Sequence, residues 1–276
     1  MGNKYKTGRV RKRRFCGNRF VSKAEFKLRR QVQNSNGIMS SDKKEVQLYC
    51  SWFCPFAQRA WIALLEKKVD FEYIEVDPYN KTPEFLVVNP RGLVPAIVHK
   101  GRSVYESPIC VEYVDEVWKH EPKLLPRDPY NRAVARIWVD FIAKKIIPVF
   151  YRMIQKQGKQ EQDEAKVELL ANLETVTQAM SKTEPFFFGK KFGIVDIILV
   201  SYLARLYILK HYRNFEVPHD ERFARFYTWY EAAQNRPSVK STVPDPEKIL
   251  VRYAKYADNT AKSELADAIR KGTAIP

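Results

Sequence analysis

Val46-Gln47-Leu48-Tyr49-Cys50-Ser51-Trp52-Phe53-Cys54-Pro55-Phe56-Ala57-Gln58-Arg59 changes its hydrophobic period partway along. Val46 to Cys50 alternates, which suits a strand. Pro55 fits the first position of a helix, where its missing N–H costs nothing. Ala60, Ile62, Ala63, Leu64 and Leu65 then give that helix a mostly apolar face. Cys54 is therefore expected on a strand-to-helix turn, at or next to the N-cap. There the unpaired N–H groups and the positive end of the helix dipole favour a thiolate, so a lowered pKa is expected. The plainer reading is a small buried hydrophobe, the commoner fate of a free Cys. Ala57 holds the second place of a Cys-x-x-Cys pair, so no resolving thiol lies one turn along. A nucleophile of that kind needs an external thiol to complete a cycle.

The 276 residues suffice for two domains, and 45% hydrophobic with 13% aromatic residues supports a substantial core. Four irregularly spaced cysteines (Cys16, Cys50, Cys54, Cys110) do not form a disulfide framework, so a reducing, cytoplasmic setting is expected. An N-terminal secretory segment and an apolar run of membrane-spanning length are both missing from the pattern. The net charge of +16 is uneven: residues 1–44 hold fourteen Lys and Arg against Glu25 and Asp42. This extension is expected to be disordered. Its core, Arg9-Val10-Arg11-Lys12-Arg13-Arg14, allows nuclear import or weak, salt-sensitive contact with polyanions through residues 1–38. A solvated tail without a specific role is the alternative. Translation starting at Met39 is another.

From Val46 onward the order reads β-α-β-α-β-β-α. The strand Phe71 to Val76 alternates, and Thr82-Pro83 opens a short helix. Asn89-Pro90-Arg91-Gly92 is a turn, and Val94 to His99 and Ser103 to Tyr105 flank the hairpin signal Lys100-Gly101-Arg102. Glu106-Ser107-Pro108 opens a further helix. Pro122, Pro126 and Pro129 mark a linker, placed at 121–128, between a domain at 45–120 and one at 129–276. Residues 130–157, 161–181, 193–211 and 220–234 carry helical spacing. The segment Ile194 to Leu209 is apolar nearly all round, as for a helix at the centre of an α-domain.

Several motifs then fall in order: Phe53 to Arg59, Asn89 to Pro95, Tyr105-Glu106-Ser107, Glu112 to Glu116, Lys123 to Pro126, Asp128-Pro129-Tyr130, and Phe187-Phe188-Gly189 with Asp196. On these residues the chain resembles the cytosolic glutathione transferases, and the omega class among them, from about Val46 to about residue 257. The resemblance implies a thioredoxin-like N-terminal domain, an all-helical C-terminal domain, glutathione as co-substrate, no metal, and a homodimer. It makes Cys54 the nucleophile, where most other classes use Tyr or Ser, and so implies thiol transfer and dehydroascorbate reduction on small oxidised substrates. Val94-Pro95 resembles the cis-proline corner that meets the cysteinyl part of glutathione. Glu106 and Ser107 resemble the clamp on the γ-glutamyl end, although Ser107 also reads as a plain N-cap. Phe56 matches a residue packed near the tripeptide, with core as its plainer reading. Thr82 stands where the family often has a Lys for the glycyl carboxylate, with Lys81 beside it to substitute. Gly193 replaces the family's usual Ser or Thr cap three residues before Asp196. Arg205 and Trp229 match positions lining the second-substrate pocket.

A second reading keeps the fold without the reaction: a channel-like protein, or a nuclear adaptor using the basic tail. Channel-like relatives also carry Cys-Pro-Phe, but the helix after Cys54 meets Glu66, Lys67 and Lys68 after too short an apolar run to span a bilayer.

Overall fold

β1 (Val46–Cys50) is the centre of the first half, with Val46, Leu48 and Cys50 buried in alternation. In the computed structural model, which describes residues 44–276, it pairs in parallel with β2 (Glu72–Glu75) and antiparallel with β3 (Ala96–His99). β4 (Arg102–Tyr105) completes a four-stranded sheet of order β2-β1-β3-β4. The β3–β4 connection has positive φ at both Lys100 and Gly101, as a two-residue hairpin turn requires. The expectations for residues 1–43, including Met39 and the polyanion contact, lie outside the described residues.

α1 (Pro55–Glu66) follows β1 and packs with α3 (Ser107–Val117) against the sheet. The short α2 (Pro83–Val88) buries Phe85, whose ring stacks on Tyr49 at 5.8 Å between centroids. Tyr49 points to the opposite face from Leu48 and Cys50 by strand alternation. The domain is thus thioredoxin-like, with helices on both faces of a mixed sheet.

The second half is helical: α4 (Pro129–Phe141), α5 (Ile147–Gln155), α6 (Lys159–Ala179), α7 (Ile194–Leu203), α8 (Leu206–Arg213), α9 (Ala224–Gln234), α10 (Pro237–Lys240), α11 (Pro246–Ala257) and α12 (Glu264–Lys271). The single helix expected over 130–157 is interrupted by a π-helical turn at Ile142–Ile146. Pro148, which has no N–H to donate, sits at the start of α5, and proline is a known cause of such breaks. The helix expected over 193–211 is likewise broken, at Ala204 and Arg205. All ten residues of α7 are buried, which bears out its central place.

α1 lies between the sheet and the C-terminal helices, which accounts for its buried polar residues. Gln58 donates to Thr242 Oγ1 at 3.1 Å, and Glu66 accepts from Arg236 and from Ser238. Lys67, just past α1, is fully buried against Asp115, 2.7 Å away. Its Nζ also donates to the carbonyls of His120 and Pro122. Asp115 in turn accepts from the backbone N–H groups of Leu124 and Leu125. The linker is therefore pinned from both sides.

Candidate active site

Cys54 is the N-cap of α1, with φ −77° and ψ 118°. Its own N–H donates to Ser51 O at 2.9 Å, and its carbonyl accepts from Gln58 N at 3.0 Å. The residue is partly exposed, and it lines a cavity of about 370 Å³. Burial pushes its thiol up from the ordinary value, against the lowering pull of the Ala57 and Phe56 N–H groups and of the Arg205 and Arg59 charges. The N–H groups at the helix start lower it as expected, but desolvation outweighs them and the two arginine charges together. The expectation of a lowered pKa is corrected accordingly. Cys50 and Cys110 are buried, and burial pushes the Cys110 thiol up to about 12. Cys54 is the one cysteine among the described residues that lines the cavity.

Val94 and Pro95 form the adjoining wall, and the peptide between them is cis. The turn before them is closed by Gly92 N donating to Asn89 O at 2.8 Å, with the Asn89 side chain donating to Leu93 O. Gly92 has φ +63°, and a Cβ there would fall 2.6 Å from Lys81 Cδ, so any other residue would be strained and would displace the Lys81 side chain. Glu106 and Ser107 face the same cavity. Glu106 holds φ +72°, a left-handed conformation that costs a non-glycine residue about 1–3 kcal/mol, and its carboxylate pairs with Arg91. Ser107 is not the cap of α3, since Glu106 occupies that position. Instead the buried Ser107 hydroxyl accepts from Arg59 Nη1 at 3.0 Å, leaving its own hydrogen free to donate into the cavity.

Phe56 lines the cavity and packs edge-on against Tyr202, with ring centroids 5.5 Å apart. Lys81 also lines it, but its Nζ is held by Glu264 Oε1 at 3.1 Å. Thr82 does not line it. Its hydroxyl accepts from Phe85 N at 3.3 Å and caps α2.

Arg205 is not on the wall either. Its guanidinium is buried behind the start of α1, donating to Gln58 Oε1 at 2.6 Å and to Phe53 O at 3.4 Å. Trp229 lies in the core of the helical domain, with no exposed surface, and its Nε1 donates to Asp196 Oδ1 at 2.8 Å. An indole held on that buried carboxylate cannot also line the pocket.

The far wall comes instead from Phe53, Tyr79, Tyr151, Arg252, Tyr253 and Tyr256. The segment 262–265 adds Lys262, Ser263, Glu264 and Leu265 as a cover. Sequence reading missed α11 and α12. The signals were present: Asp245-Pro246 opens α11, Ile249, Tyr253 and Tyr256 follow at helical spacing, and Gly272 closes α12.

A cysteine at a helix N-terminus thus stands beside a cis-proline corner, on a thioredoxin-like frame that carries a helical domain. The comparisons name the class. The glutathione S-transferase N-terminal domain model matches residues 53–117, and the C-terminal domain model matches 159–232. The chain is 38% identical over 206 residues to glutathione S-transferase U19 of Arabidopsis thaliana, covering 74% of this chain and 92% of that protein. Among solved structures it resembles glutathione transferase Omega 3C from Trametes versicolor, at 37% identity and TM-score 0.73, covering 86% of this chain and 98% of that one. It equally resembles a Tau class glutathione S-transferase from mango, Mangifera indica, at 30% identity and TM-score 0.73, covering 78% and 99%. The chain belongs to the glutathione S-transferase family. Backbone likeness does not separate omega from tau.

Proposed function

We propose that this transferase is omega-like: a glutathione-dependent thiol transferase and dehydroascorbate reductase acting through Cys54. The observation that carries the reading is the Cys54 side chain lining one cavity with Val94, Glu106 and Ser107. In this reading Val94 presents its backbone to the cysteinyl part of glutathione. Ser107 donates to the γ-glutamyl carboxylate and Glu106 accepts from the ammonium. Lys81 reaches the glycyl carboxylate once Glu264 gives way. Cys54, as thiolate, attacks the glutathionyl sulfur of a mixed disulfide. The departing thiolate takes a proton, and the Cys54–glutathione disulfide is opened by a second glutathione, giving glutathione disulfide and the free Cys54 thiolate. With dehydroascorbate, two glutathione thiols supply the two electrons.

The test is turnover of a glutathionyl mixed disulfide and of dehydroascorbate by wild type, Cys54→Ala and Cys54→Ser. Both variants are expected to lose at least 100-fold in rate while circular dichroism stays unchanged, because no other cysteine among the described residues lines the cavity. Turnover equal to wild type in Cys54→Ala overturns the reading.

One observation favours a second reading. A thiol pushed up by burial is also suited to donating a hydrogen bond to the thiolate of bound glutathione, as a conjugating transferase requires. In that case Cys54→Ser keeps conjugation to an aromatic halide and there is no mixed-disulfide turnover to lose.

A further inference from the structure

We propose that the half of the cavity facing Cys54 takes a planar aromatic substrate bearing an anionic group, and that Arg252 holds that anion. This rests on reading the other half as the glutathione site.

Arg252 projects from α11 onto the cavity wall. Its guanidinium carbon lies 3.8 Å from the centroid of the Phe53 ring and 4.8 Å from that of Tyr79. Those rings hold the cation in place, as aromatic faces do, but they accept none of its N–H bonds. Among the described residues no carboxylate lies within 4 Å of it and no acceptor reaches any of its nitrogens. Its Nε is buried and unpartnered.

Apart from Lys262 on the cover, the other cations nearby are committed. Lys81 is paired with Glu264, and Arg205 donates to Gln58, Ser201 and Phe53. Arg59 and Arg205 each leave one nitrogen unpartnered, but their remaining donors are used. Arg252 alone of the three presents a whole fork without an acceptor. A buried donor without a partner is costly, and a guanidinium fork matches a carboxylate or sulfonate.

The rest of this wall selects the body of the ligand. Phe53 precedes Cys54 directly, and Tyr151, Tyr253 and Tyr256 present aromatic surface beside it. The hydroxyls of Tyr151 and Tyr253 are 3.2 Å apart and satisfy one another, so these rings offer more flat apolar area than polarity. Lys262, exposed on the cover, adds positive charge at the entrance. A flat ring with its reactive atom toward Cys54 and its anion toward Arg252 fits that arrangement.

The experiment compares two stable conjugates that cannot turn over: S-(4-carboxybenzyl)glutathione and S-(4-methylbenzyl)glutathione. Their affinities are measured by calorimetry on wild type, Arg252→Gln and Arg252→Lys. Wild type is expected to bind the carboxybenzyl conjugate about tenfold more tightly, as one charge-assisted hydrogen bond provides. Arg252→Gln should bring the ratio near one, and Arg252→Lys should keep part of it. Equal affinities in wild type overturn the inference and leave the glutathione site standing. An unchanged preference in Arg252→Gln overturns the role of Arg252. If neither conjugate binds, the glutathione reading fails and the inference fails with it.

Discussion

Arg59 is 2% exposed, yet no carboxylate among the described residues pairs with it. It donates to Ser201 Oγ of α7 at 3.1 Å and to Ser107 Oγ of α3 at 3.0 Å. Its guanidinium carbon also lies 4.9 Å from the Phe56 ring centroid and 5.4 Å from that of Tyr202. Burial pulls its pKa down to about 10, so it remains charged at neutral pH. An uncompensated buried charge is expensive, and its position here gives it a use. It lowers the Cys54 pKa from one side and orients the Ser107 hydroxyl on the other. Alkylation of Cys54 by iodoacetamide is therefore expected to keep accelerating at pH values where an ordinary thiol has levelled off, because burial pushes its pKa up. Arg59→Gln should move that profile further up, since a lowering charge is gone. The same variant should raise the KM for glutathione roughly tenfold, through loss of the donor behind Ser107. A profile that levels off below pH 8 in wild type, or an unshifted one in Arg59→Gln, would count against this account.

The helix termini show how far local rules reach. Asp128, Asp245 and Ser263 cap α4, α11 and α12 with side-chain oxygens, as their sequence positions suggest. α7 departs from this. Gly193 precedes it, and Asp196 turns back to accept from Gly193 N at 2.9 Å and from Phe187 N at 2.9 Å. A Ser or Thr cap at 193 would ordinarily help. Here a Cβ would lie 2.9 Å from the backbone oxygen of Leu124, which accepts from Ile194 N at 2.8 Å. Gly193→Ser is therefore expected to destabilise by about 1–3 kcal/mol, seen as a lower unfolding midpoint in urea. A midpoint at or above wild type would show that the linker can yield.

The strands, the hairpin and α1 were legible in the sequence because period and turn chemistry are local. The cavity-lining residues Cys54, Val94, Glu106 and Ser107 were legible through their motifs. Three things were not. The raised Cys54 pKa depends on how deeply the helical domain covers α1. The burial of Trp229 depends on a partner, Asp196, 33 positions away. The far wall of Tyr79, Arg252 and Tyr253 comes together only where Arg252 of α11 meets the rings of Phe53 and Tyr79.

At the scale of the molecule, buried polar links along α1 tie the two halves together. Glu66 of α1 holds Arg236 and Ser238, Gln58 holds Thr242, and Arg59 holds Ser201. Lys67 and Asp115 fix the linker between the halves. On the open side Lys81 and Glu264 join the first domain to α12 by an exposed pair, worth little on its own. Behind the sulfur the links between the halves are buried, whereas over the cavity mouth the fastening is one exposed pair. Among the described residues no helix is long and apolar enough to cross a membrane.

The proposed function requires Cys54 to exchange disulfides with glutathione. The most direct measurement is the mass of the intact protein, with peptide mapping, after incubation with glutathione disulfide at pH 8.5. One glutathionyl group on Cys54, released again by excess glutathione, is the predicted result. A folded protein whose Cys54 stays unmodified under those conditions would contradict it.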